Sequence, residues 1–177
     1  MTSLFGNRPR LVRRFSGIIA ALAVFLMYTC PGQLASGAER ISIEHPFRTA
    51  QKFTDHERCD NCGMNRNAWA RTRYEVTTSK GAFYTCSIAC VAVMGMKLKE
   101  EPRNVRVADY LHPMRMMEAE HAFFVMGSTA PGTMTAVSKI AFEEKQSAVE
   151  FAARYGGRVV RFRDVLDAAR LEASGER

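Results

Sequence analysis

The chain has no glycine-rich phosphate loop, no Ser-His-Asp pattern and no pair of carboxylates placed for acid and base work, so catalysis has no evident home in it. Histidine is sparse: His45, His56, His112 and His121 are scattered, and no two have the i, i+4 spacing with which a helix offers two imidazoles to a metal. Each reads as a surface or core residue, although His56, three residues before Cys59, could complete a site. A bilayer-spanning stretch is also missing, because the apolar run 18–28 falls well short of the roughly 20 residues that a spanning helix needs. Charge of one sign is not in excess either. Arg8, Arg10, Arg13 and Arg14 stand in the first 38 residues with no acid, which leaves 21 of the 25 Lys and Arg against 18 Asp and Glu in the rest, about +3 net. That balance gives no support to a nucleic-acid partner.

The same N-terminal arginines, the short apolar run and the small residues Ser36, Gly37 and Ala38 have the order of an export signal, with cleavage expected after Ala38. The alternative is an uncleaved anchor. Arg13-Arg14-Phe15 matches only part of a twin-arginine signal, so Sec export is expected. A lipid on Cys30 is a minority option, because bulky Tyr28 and Thr29 stand where a lipobox wants small residues. The protein is therefore expected to be periplasmic, with residues 39–55 as an N-terminal arm and 56–173 as one metal-binding domain.

Patterning within 56–173 predicts an α+β fold. Residues 69–76 and 82–85 read as strands of a hairpin turning at Ser79-Lys80-Gly81. Ser87 can cap a helix running to about Lys99, with Ile88, Val91, Ala92 and Met96 on its apolar face and Pro102 beyond its end. Residues 104–109 form the next strand. The order then repeats: strands at 122–126 and 137–142, a helix at 144–155 ended by Gly156-Gly157, and a strand at 158–162. Two ββαβ-type halves sharing one core result, capped by a last helix at 164–173 whose face is set by Val165, Leu166, Ala169 and Arg170.

Chemistry concentrates in sulfur. Cys59 and Cys62 form a C-x2-C pair, and Cys86 and Cys90 a C-x3-C pair across a strand end and a helix start; a hairpin between them could bring all four together. A helix N-terminus also favours thiolate. Such a set suits structural zinc, and two disulfides are a further possibility in an exported protein. Cys62-Gly63-Met64 tilts the balance, since a thiolate and a thioether flanking a flexible glycine select Cu(I), and zinc sites rarely use Met. Met134 sits in the loop Pro131-Gly132-Thr133-Met134, where no core demands it, and is the best further sulfur. Met94 and Met96 read as packing residues, while Met114, Met116 and Met117 beside His112 suit either core packing or a docking surface. A thiol-disulfide oxidoreductase is the enzyme alternative, weakened by the absence of a thioredoxin-like βαβ context.

Cys62-Gly63-Met64, the block 119–128 (AEHAFFVMGS), Gly132-Thr133-Met134, Ala141-Phe142 and the block 151–160 (FAARYGGRVV) occur in the order found in the NosL family, which the chain resembles over roughly 56–168. That resemblance implies two ββαβ-type halves, an architecture similar to that of the alkylmercury lyase MerB. It also implies a non-catalytic carrier of Cu(I) for nitrous oxide reductase and its copper-loading ABC transporter complex, with membrane contact through those partners. It further implies Cys62 and Met64 as copper ligands, with Met134 as another. The segment from Thr85 to Cys90 departs from the better-known members. It is similar to the Cys-x3-Cys half of TRASH-like metal-sensing motifs, which implies a second or expanded site.

Overall fold

The computed structural model describes Ile43 and residues 51–175, so the expected leader, its cleavage site and Cys30 lie outside the described residues. Among the described residues, two antiparallel sheets and three α-helices make up the fold. A 3-10 turn at Ala70–Thr72 leads into β1 (Tyr74–Thr78), β2 (Gly81–Thr85), α1 (Ile88–Leu98) and β3 (Arg103–Ala108), followed by the short β4 (Met116–Glu118). The second set is β5 (Phe123–Met126), β6 (Lys139–Phe142), α2 (Lys145–Tyr155) and β7 (Arg158–Val160), and α3 (Phe162–Ser174) closes the chain. The sheets run β2-β1-β3-β4 and β6-β5-β7. In both, the first strand of the set lies in the middle, paired with the hairpin strand on one side and the strand after the helix on the other.

Alternation along the strands explains how the halves meet. Tyr74 and Val76 of β1 and Val105 and Val107 of β3 share a core with Ile88, Val91 and Ala92 of α1, with Phe124 and Met126 of β5 and with Phe162, Val165 and Leu166 of α3. The other face of the second sheet carries Val125, Ile140 and Phe142, which pack with Ala148 and Phe151 of α2 and with Tyr110. Helix α1 lies against α3, which places the start of α1 beside the last turns of α3. Burial of aromatic side chains such as Phe124 and Phe142 contributes about 2 kcal/mol each.

Several elements differ from expectation for local reasons. Residues 69–73 do not extend as strand: the Asn65 side chain accepts from the backbone N–H groups of Asn67 and Ala68 and winds the chain into turns that reach Thr72. Phe162 begins α3 instead of ending β7, because the Asp164 carboxylate accepts from the Arg161 N–H at 2.9 Å. Val137 is exposed and precedes β6. Met96 is 46% exposed and does not belong to the buried face of α1. Strand β4, unforeseen, places Met117 against the core while Met114 stays exposed. Packing also starts earlier than residue 56, since Phe53 is buried and its N–H donates to the Asn67 side chain at 2.7 Å. No helix among the described residues is long and apolar enough to cross a membrane.

Candidate metal centre

Cys59 to Asn65 form a tight knuckle. The Cys59 N–H donates to Met64 O at 2.9 Å, the Gly63 N–H donates to Cys59 O at 2.8 Å, and Arg58 and Asn65 pair across its base. Gly63 has φ +74°, a left-handed conformation that glycine adopts without a side-chain penalty. The knuckle is tied to β2 by a reciprocal contact: the Asp60 N–H donates to Tyr84 O at 2.9 Å, and the Tyr84 N–H donates to the Asp60 carboxylate at 2.6 Å. Two residues on, Cys86 directly follows β2, and Ser87 caps α1 by accepting from the Cys90 N–H. The hairpin thus carries the second cysteine pair to the first.

The sulfur atoms of Cys59, Cys62, Cys86 and Cys90 all lie within 4.8 Å of one another. Cys62 Sγ is 3.5 Å from Cys86 Sγ, and Cys86 Sγ is 3.7 Å from Cys90 Sγ. A tetrahedral ion with metal–sulfur bonds near 2.3 Å requires sulfurs about 3.8 Å apart, so the four thiols fit a single thiophilic ion with little movement. Cys59, Cys86 and Cys90 are buried and Cys62 is half-buried, which leaves Cys62 as the sulfur that solvent reaches most easily. Met64 and Trp69 pack against the cluster.

The thiols share their protons unequally. Hydrogen bonds from the Cys86 and Cys90 thiols, and then from the Asn61 and Cys62 backbone, hold Cys59 far below the ordinary thiol range. The same bonding to Cys59 raises Cys86 strongly and pushes Cys90 up to about 11, with burial adding to both. At Cys90, near the start of α1, the hydrogen bond to Cys59 and burial thus favour the neutral thiol in the metal-free protein.

Arg66 braces this arrangement and was not recognisable in the sequence. It is fully buried; its Nε donates to Thr85 O at 3.1 Å, and its other nitrogens donate to His56 O at 2.6 Å, Tyr74 O at 3.1 Å and Thr54 Oγ1 at 3.2 Å. Burial draws its pKa down, opposed chiefly by the charges of Glu75 and Asp60 and then by Cys59. His56 does not join the cluster but stacks on the Tyr84 ring with centroids 3.4 Å apart. Met134 lies outside the four-sulfur cluster as well, across a groove of about 120 Å³ that Cys90 also lines. Four of the six sequence-chosen sulfurs thus meet directly, Met64 touches the set, and Met134 faces its edge.

Fold and site together define a small α+β protein with a thiol cluster suited to a soft metal ion. The NosL family model matches residues 50–169, and the chain belongs to the NosL family. It is 29% identical over 133 residues to the copper-binding lipoprotein NosL of Stutzerimonas stutzeri, covering 69% of this chain and 68% of that protein. Its fold is similar to the crystal structure of the copper chaperone NosL from Shewanella denitrificans, with a TM-score of 0.52 and 24% identity, covering 68% of this chain and 97% of that one.

Proposed function

We propose that the protein is an exported Cu(I) carrier that binds copper on Cys62 and Met64 together with Cys59, Cys86 and Cys90, passes it on through Met134, and catalyses no reaction. The observation that carries this reading is the convergence of four thiols within 4.8 Å with Cys62 accessible and the soft thioether of Met64 packed against them. Soft thiolate and thioether donors favour Cu(I) over harder ions, and a partly exposed ligand permits release by exchange. The naming of two relatives for copper supports the cargo, and the description of one as a lipoprotein supports export to the periplasm. The client is nitrous oxide reductase, reached with its copper-loading ABC transporter complex; membrane contact comes through these partners, and nucleic acid is no partner.

A second reading is favoured by one observation: the 3.5 and 3.7 Å sulfur separations suit a closed tetrahedral Zn(II) site as well. An anaerobic Cu(I) titration of the reduced protein against a competing chelator, with Zn(II) in parallel, separates the two. The carrier predicts tight Cu(I) binding that weakens in both Cys62→Ser and Met64→Leu. Folding that depends on Zn(II), with Met64→Leu indistinguishable from the parent, would establish the structural zinc domain instead.

A further inference from the structure

The loop between β5 and β6 is fastened on both sides of Met134. On one side the buried Thr133 hydroxyl is hydrogen-bonded to the Thr72 hydroxyl at 3.0 Å, and Thr72 also reaches the carbonyl of Cys86 at 3.0 Å. On the other side Thr135 Oγ1 is hydrogen-bonded to the Glu172 carboxylate of α3 and accepts from Lys139 Nζ at 2.8 Å. Lys139 Nζ is itself 2.7 Å from Glu172 Oε1 and donates to Val137 O at 3.1 Å, with its side chain fully buried. Gly132 completes the turn: a Cβ there would stand 2.2 Å from Thr135 O, so only glycine lets the loop close.

Between these fastenings Met134 adopts φ +58°, a left-handed conformation unfavourable for its side chain, yet that side chain is 53% exposed. Such a backbone persists where its surroundings over-determine it. Here they do so without burying the residue they hold. The groove beside it is lined by Asn61, Cys90, Val93, Met134 and Glu172, so the carboxylate that fastens the loop is also a wall of the passage to Cys90.

We infer that Glu172 and Thr133 are positioning residues for metal release: they fix the loop on either side of Met134 and hold its thioether at the groove that opens on Cys90. This rests on the reading of the thiol cluster and Met134 as copper ligands. Through Thr72 the same fastening reaches Cys86, so one hydrogen-bonded path joins the site that stores the ion to the loop that receives it. A loop held in this way offers the departing ion a soft ligand at high effective concentration, which a free loop does not.

The test loads the full chain anaerobically with one equivalent of Cu(I) and follows its transfer to a chromogenic chelator in Met134→Leu, Glu172→Gln, Thr133→Val and the two double variants containing Met134→Leu. Each single change is expected to slow transfer by about tenfold, with the equilibrium affinity of the cluster nearly unchanged. Each double variant is expected to be no slower than Met134→Leu alone. The Met134 methyl resonance should shift when Ag(I) is added to the parent protein and not when it is added to Glu172→Gln. The inference is overturned if Glu172→Gln and Thr133→Val slow transfer equally in the Met134→Leu background, or if they leave it unchanged while Met134→Leu slows it. It also falls if Met134→Leu has no effect. A parent protein that takes up no Cu(I) refutes the carrier reading itself.

Discussion

Cys62 Sγ stands 3.5 Å from Cys86 Sγ, although 24 residues separate them in the chain. One thiol sits on the knuckle and is half-buried; the other directly follows β2 and is fully buried. The contact forms because Asp60 and Tyr84 hold knuckle and strand together at two hydrogen bonds.

That proximity makes this pair the first to close under oxidation. A disulfide needs sulfurs near 2.05 Å, a short movement from 3.5 Å, and Cys62 is the thiol an oxidant reaches. Treatment of the metal-free protein with diamide, which accepts the two hydrogens released, is expected to give mainly a Cys62–Cys86 link by peptide mapping, with loss of metal binding that a thiol reductant restores. Links confined to Cys59–Cys62 would show that the knuckle moves independently of β2.

Metal binding should be strongly proton-linked. In the free protein hydrogen bonding to Cys59 and burial keep the protons on Cys86 and Cys90, the latter up to about 11, whereas the bound state has both sulfurs deprotonated. The free form therefore holds more protons through the neutral range, so apparent affinity rises as pH rises and falls as it is lowered. Indicator titration in weak buffer is expected to show at least about two protons released per ion at neutral pH, with Cys86 and Cys90 among their sources. Release of none would mean that the cluster is already fully ionised.

Arg66→Met should be among the more destabilising single changes in the domain. It strands the carbonyls of Thr85, His56 and Tyr74 in a buried setting, with an expected loss of about 3–5 kcal/mol by urea denaturation of the metal-free protein. Arg66→Lys should recover less than about half, because one ammonium cannot reach acceptors spread around a planar fork. A loss below about 1 kcal/mol for Arg66→Met would show that the clamp is dispensable.

Legibility in the sequence followed how local each determinant is. The Ser79-Lys80 hairpin, the Ser87 cap and the duplicated ββαβ order depend on neighbours within a few residues, and they were readable from turn residues and periodicity. Cys59, Cys62, Cys86 and Cys90 announced themselves by spacing, and Cys62-Gly63-Met64 by softness. Residues 69–73 do not follow the strand preference of Trp69 and Thr72, because the Asn65 turn overrules it.

Sequence by itself determined which atoms are available for metal: four thiols in two close pairs, thioethers at Met64 and Met134, and no helical histidine pair to compete with them. Only the tertiary structure decided which of these atoms meet and what charge they carry when they do. The contacts that settle it are long-range: Asp60 to Tyr84 brings the pairs together, Arg66 braces them from inside, and Lys139 with Glu172 fixes the Met134 loop. Each joins segments distant in the chain, and burial strengthens the Arg66 and Lys139 contacts in a way that no local pattern of residues encodes.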